Sequence, residues 1–203
     1  MSFEIWLAFA AASAVLLALP GPTVLLVVSY SLSHGRRAML ATVAGVALGD
    51  FTAMTLSMLG LGALLAASAT LFTAVKWAGA AYLVYLGIML WRAPVPDADA
   101  VAEAPSMRPW RMLVHMWMVT TLNPKSLVFF VAFLPQFVDP GRPFRDQILV
   151  MGATFVAMAA ANAALYGLLA SRVRGALRRP TVRRTVNRVG GTALVSAGAL
   201  TAS

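Results

Sequence analysis

MLVHMWMVTTLNPKSLVFFVAFLPQFV, residues 112–138, carries a single formal charge, Lys125, directly after Asn123 and Pro124. A run this long and apolar reads as a helix that crosses a bilayer. A lysine at that depth costs roughly 2.5–3.5 kcal/mol on insertion scales, so it marks a functional position by default. Pro124 removes a backbone donor at the same level and disturbs the helix. Broken helices persist inside membranes only where they are buried in protein or line a cavity. Charge and break together point to a place where something polar binds or passes.

The rest of the chain agrees with a membrane setting. Of 203 residues, 60% are hydrophobic and 11% charged. Such a composition predicts an all-α integral membrane protein, one domain over 1–203. The chain has no cysteine and two histidines, His34 and His115. Disulfides, thiol catalysis and thiolate metal sites are excluded, and a histidine metal cluster is not expected. Nothing calls for a cofactor. The net charge of +9 would suggest nucleic acid in a soluble protein. Here seven arginines from Arg172 to Arg188 fall between hydrophobic runs, and we expect a loop touching anionic lipid instead. The opening Met1-Ser2-Phe3-Glu4 has no basic region, so a cleavable signal peptide is not expected.

Six apolar segments can be drawn, at about 3–31, 39–64, 69–91, 112–138, 147–171 and 187–203. The linker 92–111, with Pro94, Pro96, Pro105 and Pro109, resists packing. It divides the chain into three-helix halves, 1–91 and 112–203. Twelve of the 16 basic residues fall in the loops after segments one, three and five. The positive-inside rule then places those loops in the cytoplasm and both termini outside. With three spans per half, related halves must be inverted repeats. Each half opens with a proline-broken segment, at Pro20-Gly21-Pro22-Thr23 and at Asn123-Pro124-Lys125-Ser126. Matched breaks of this kind point to a transport site near the midplane. Gly45 and Gly49 form a G-x-x-x-G, read as tight packing within the chain rather than a dimer seam; a homo-oligomer is compatible with either.

Several polar groups converge on one depth. Asp50 lies near the centre of segment two and Lys125 near the centre of segment four, and Asn162 adds a polar group in segment five. Pro22 suits the first position of a half-helix whose free N–H groups and dipole attract a carboxylate, with the Thr23 hydroxyl beside them. Asn123 and Pro124 fit an N-cap and first helical position, a second such terminus. Asp50 can take an ammonium or a proton. Pro20, Gly21, Pro22, Thr23, Asp50, Asn123, Pro124 and Lys125 are therefore the candidate binding residues, with Asp50 as the proton-coupling group and Lys76 and Asn162 secondary. The set suits a zwitterion. The plainer alternative is that Asp50 and Lys125 form a packing pair, since buried charges are usually paired. Lys76 is expected to snorkel to water. Trp77, Tyr82, Tyr85 and Trp91 read as packing and interfacial anchors. His115 reads as a surface contact rather than a proton relay.

These stretches resemble the LysE/RhtB family of bacterial amino-acid exporters. The matching motifs are Leu19-Pro20-Gly21-Pro22-Thr23, His34-Gly35 with Gly45, Gly49 and Asp50, Lys76-Trp77-Ala78-Gly79-Ala80-Ala81-Tyr82-Leu83 with Gly87, and Asn123-Pro124-Lys125 followed by Phe129-Phe130 and Leu134-Pro135-Gln136-Phe137. The resemblance covers nearly the whole chain. It implies efflux of amino acids or close derivatives across the bacterial cytoplasmic membrane, driven by the proton gradient.

Competing classes fit less well. An intramembrane hydrolase needs a nucleophile and base or a metal, and no H-E-x-x-H or serine–histidine pair sits at a useful depth. A cation or metal exporter of related fold would not place a lysine beside its one deep acid. A non-transporting scaffold has no need of two matched breaks.

Overall fold

The computed structural model describes residues 1–19, 21–67, 69–92, 107–139, 141–170 and 180–202. Among the described residues the regular structure is helical throughout: α1 (Phe3–Ala18), α2 (Pro22–Ala67), α3 (Ala69–Arg92), α4 (Pro109–Thr121), α5 (Pro124–Val128), α6 (Phe144–Leu168) and α7 (Pro180–Ala202). The expected all-α membrane fold is observed. Ala38–Gly60 and Phe144–Leu168 are each long and apolar enough to cross a membrane. Two bent pairs meet the same test together: Phe3–Ala18 with Pro22–Gly35, bent by 58°, and Pro109–Thr121 with Pro124–Phe137, bent by 44°. Both expected breaks are thus present as bends.

Local chemistry explains the boundaries. Ser2 caps α1, accepting a hydrogen bond from Ile5 N at 3.3 Å, with Glu4 in the first turn, where an acid favours the helix dipole. Leu19, the residue before a proline, is extended at φ −73°, ψ 116°, as steric clash with the proline ring demands. Pro22 then opens α2, and Leu25 N donates to Gly21 O at 3.0 Å. The gap expected between segments one and two shrinks to one residue. Gly35, at φ 65° and ψ −149°, is not helical and divides α2 into two helices, and the two arms fold back far enough for Thr23 and Asp50 to line one small cavity. That backbone region is essentially open to glycine alone. The separation expected between the first two segments, beside polar His34, Arg36 and Arg37, is thus present, made by one non-helical residue rather than a longer loop.

A second boundary also differs. The last helix begins at Pro180, not near 187, so Arg183, Arg184 and Arg188 belong to α7 rather than to an interhelical loop. Apolarity alone hid them, whereas proline at a helix start is favourable. The remaining arginines of that run, Arg172 to Arg179, lie outside the described residues, as do Pro20 and most of the 92–111 linker.

Glycines bring the helices together. A Cβ on Gly45 would stand 2.6 Å from Leu113 O, and one on Gly49 2.6 Å from the Thr120 Cβ. The G-x-x-x-G face therefore packs α2 on α4, within the chain as expected. Trp117 Nε1 donates to Thr52 Oγ1 at 3.1 Å and Thr121 Oγ1 to Gly49 O at 3.4 Å across the same seam. A Cβ on Gly87 would reach 2.7 Å from Gly191 O, so α3 and α7 pack equally closely. Arg188 lies over the Trp91 ring, 5.4 Å from its centre, a cation–π contact. Both seams join a helix before residues 93–106 to a helix after them.

Beyond α5 the chain stays wound but irregular, as a π turn over Phe129–Phe133 and a 3₁₀ turn over Leu134–Phe137. Pro135 cannot donate to the turn before it. The Gln136 side chain supplies a donor, Nε2 reaching Ala132 O at 3.1 Å. Phe129, Phe130, Phe133 and Phe137 pack there with Phe9 of α1 and Phe155 of α6, with ring centres as close as 4.9 Å for Phe130–Phe155. Buried Gln147 ties the following loop, accepting from Asp139 N at 2.9 Å and donating to Asp139 O at 2.9 Å.

Candidate functional site

The two bends face each other. Asn123 caps α5, its Oδ1 accepting from Lys125 N at 3.1 Å. Its Nδ2 donates to Thr23 Oγ1 in the first turn of α2 at 3.2 Å. Two helix N-termini, more than a hundred positions apart in sequence, are therefore joined side chain to side chain. Pro22 and Pro124 occupy the opening positions of their helices, where the missing N–H costs nothing.

Lys125 does not point into open space. Its Nζ donates to Leu16 O and Leu19 O, each at 3.0 Å. These carbonyls lie at the end of α1, where the last turn is short of intrahelical partners, and Leu16 O also accepts from Leu19 N at 3.3 Å. Asn162 Nδ2 donates to Leu17 O at 3.0 Å and Tyr166 OH to Ala18 O at 2.8 Å. Every carbonyl from Leu16 to Leu19 thus receives a side chain from α5 or α6. A cation at a helix C-terminus is also favoured by the dipole. Gly21 keeps this corner open; a Cβ there would stand 3.7 Å from Lys125 Nζ.

Asp50, 3% exposed, lines the same small cavity as Lys125, with Thr23, Thr120, Asn123, Ser126 and Asn162. The two charged groups share the space without touching. Among the described residues the side-chain ion pair is Arg142–Asp139 at 3.3 Å, away from the cavity. Thr120 is buried and its hydroxyl has no hydrogen-bond partner, an arrangement that is uncommon in folded proteins. The cavity measures about 30 Å³. That admits a water but falls far below the roughly 300 Å³ at the low end of small-molecule pockets. An amino acid enters only if the helices part.

A chain with this paired geometry can be compared with known proteins. The LysE type translocator family model matches residues 14–203. The chain belongs to that family. Among similar proteins is an uncharacterized membrane protein of Vibrio cholerae, 36% identical over 203 residues, covering 100% of this chain and 98% of the relative. The homoserine/homoserine lactone efflux protein of Salmonella typhimurium is 35% identical over 204 residues, with 100% and 98% coverage. The leucine efflux protein of Klebsiella pneumoniae is 28% identical over 134 residues, 66% of this chain and 63% of that protein. No solved structure matches. This LysE-type translocator is a multi-pass protein of the bacterial cytoplasmic membrane.

Most residues singled out from the translocator's sequence meet at the cavity. Gly21, Thr23, Asp50, Asn123, Lys125 and Asn162 are at or beside it. Pro22 and Pro124 shape the helix starts. Pro20 and the Lys76 side chain lie outside the described residues. Trp77, Tyr85 and Trp91 are exposed on α3, with Arg188 of α7 over the Trp91 ring; the Tyr82 side chain is not described. His115 is half-buried and shares a 2.8 Å hydrogen bond with buried Tyr30, so it is an internal α2–α4 tie rather than a surface contact. Tyr166 went unnoticed in the sequence. Its signal was the four-residue step from Asn162, which puts both side chains on one face of α6.

Proposed function

We propose that this chain is a secondary transporter that exports amino acids or close derivatives from the cytoplasm, coupled to protons. The observation that carries the reading is the meeting of two broken helices at a cavity holding one deep acid and one deep lysine, in a chain of the LysE translocator family. In this reading Lys125 and the N–H groups after Pro22 and Pro124 hold the substrate carboxylate. Asp50 alternates between substrate ammonium and a proton. The unpartnered Thr120 hydroxyl supplies a further contact. Homoserine, its lactone and leucine, the compounds that name the relatives, share an α-amino group, which suits a site with a deep acid.

The architecture that goes with this function is six spans in two inverted three-helix repeats, each opening with a bent pair, with both termini outside. The basic run Arg172–Arg188 then faces the anionic cytoplasmic leaflet. Single cysteines at Ser2 and Arg179 test the orientation, because the native chain has none. Labelling from outside should reach the first and spare the second.

The deciding experiment is efflux from substrate-loaded cells across a panel of amino acids, normalised to folded protein in the membrane. Asp50→Asn keeps the shape but cannot exchange a proton, and should abolish gradient-driven efflux. Lys125→Met should also lose it. If the two charges serve only packing, Asp50→Asn with Lys125→Met should recover both yield and efflux, because no lone buried charge remains. Restored efflux in that double mutant would overturn the assignment of the site. A panel in which no compound leaves faster than from vector-only cells would overturn export.

A further inference from the structure

The end of α1 has the chemistry of an ammonium site. Its last carbonyls form a negative helix pole, and Leu16 O and Leu19 O already hold a primary ammonium, that of Lys125, at 3.0 Å each. The neighbouring carbonyls, Leu17 O and Ala18 O, are held by neutral donors, Asn162 and Tyr166. Only the outer pair is taken by a group that an amino acid also carries. The cavity with buried Asp50 adjoins this pair, and Gly21 leaves its flank without a side chain. The lysine is therefore not available to a carboxylate as it stands, because leaving would take a charged donor from both carbonyls, with Leu16 O keeping only the Leu19 N–H at 3.3 Å, and buried unpaired acceptors are costly.

We infer that Leu16 O and Leu19 O form the seat for the substrate's α-ammonium, and that Lys125 fills this seat as a tethered stand-in until substrate displaces it. The inference rests on the exporter reading and refines it, seating the substrate ammonium on the two carbonyls beside the Asp50 cavity rather than on Asp50 itself. An incoming zwitterion brings an ammonium for the carbonyls and a carboxylate for the freed lysine, so the exchange leaves no group unpaired. A simple anion frees Lys125 at the expense of the carbonyls. A simple amine satisfies the carbonyls and leaves the lysine beside Asp50 alone. The exchange thus favours ligands that carry an ammonium over simple anions, and a carboxylate on the same ligand gives the freed lysine a second partner besides Asp50.

The test removes the stand-in and returns it as a free amine. Lys125→Ala, purified in detergent, lacks the atoms of propylammonium. Propylammonium at about ten times its dissociation constant should raise the unfolding midpoint of this variant by about 3 °C or more. The unsubstituted protein, whose seat is filled, should not respond. Tetramethylammonium, which has charge but no N–H, and 1-propanol, which has the shape but no charge, should have no effect on the variant. An equal shift with 1-propanol would mean that only a hole is being filled, and no shift with propylammonium would mean that there is no seat; either result overturns the inference. If the alanine variant does not purify, Lys125→Met retains the stem and lacks the terminal nitrogen. Ammonium ion then replaces propylammonium, with tetramethylammonium again the control, and the same two outcomes decide. Efflux by cells distinguishes the two readings. Export without amine rescue removes the seat and leaves the exporter. Rescue without export of any amino acid does the reverse.

Discussion

The two bends are built from the same residue types and held in opposite ways. The bend between α4 and α5 closes on itself. Leu122 N donates to Met118 O at 3.0 Å, Asn123 N to Thr120 O at 3.1 Å, and Leu127 N to Asn123 O at 3.0 Å, with the Asn123 side chain capping Lys125 N. The bend between α1 and α2 has matching backbone bonds, Leu19 N to Leu16 O at 3.3 Å and Leu25 N to Gly21 O at 3.0 Å, but its side-chain caps come from other helices. Its carbonyls are satisfied by Lys125, Asn162 and Tyr166, which lie 106 to 148 positions away. A self-capped bend survives when its neighbours move. A bend capped by other helices changes whenever those helices shift. The second bend, capped by its own Asn123, is therefore expected to be the more rigid, and the first the more sensitive to shifts of α5 and α6.

Four substitutions test that contrast, each read as the thermal midpoint of purified protein alongside efflux. Lys125→Met should have the largest effect. It removes two charge-assisted hydrogen bonds from the first bend, worth about 1.5–3 kcal/mol each before relaxation, and efflux should disappear. Gly49→Ala comes next. Its Cβ would land 2.6 Å from the Thr120 Cβ and 2.9 Å from Trp117 O, and overpacking of this kind costs about 1–3 kcal/mol. Because the shift pushes α4 from α2, both bends should feel it, and efflux should fall with stability. Asn123→Ala removes an N-cap, worth about 1 kcal/mol, and the link to Thr23. With its backbone bonds intact, the second bend should persist. A loss greater than that of Lys125→Met would reverse the comparison. Tyr166→Phe should cost least, about 1 kcal/mol for one neutral hydrogen bond. It should nevertheless alter efflux more than Asn123→Ala does, relative to its small effect on stability, because it loosens the sensitive bend. Equal ratios of efflux to stability in the two variants would remove the distinction.

The glycine seams show how far sequence patterns reach. Gly45 and Gly49 are spaced to form a flat strip on one helix, and the spacing alone announced a close contact. It could not say which helix fills the strip, because any small-residue face accepts several partners. The partner is α4, reached through Leu113, Met116 and Thr120. Helix ends behaved similarly. Hydropathy marks where apolar residues stop, not where hydrogen bonding stops, so α7 begins in arginine-bearing sequence and the polar stretch at His34–Arg37 is helical except at Gly35.

The sequence by itself determined the features that are covalent or local. Apolar runs require a membrane, prolines forbid a backbone donor, Asn123 before Pro124 makes a helix start, and charges at Asp50 and Lys125 stand out because burying them is costly. From these the all-α membrane fold, both breaks and several of the residues that line the cavity could be read. Tertiary structure decided where each buried group finds its partner. Lys125 reads in sequence as a free cation for a carboxylate, yet folding delivers it to the carbonyls of Leu16 and Leu19. Asp50 reads as its natural counter-ion, yet the two share a cavity without touching. Donors and acceptors in an apolar interior must all be matched at once, and that matching depends on how α1, α2, α5 and α6 pack against one another, which no local stretch of the chain encodes.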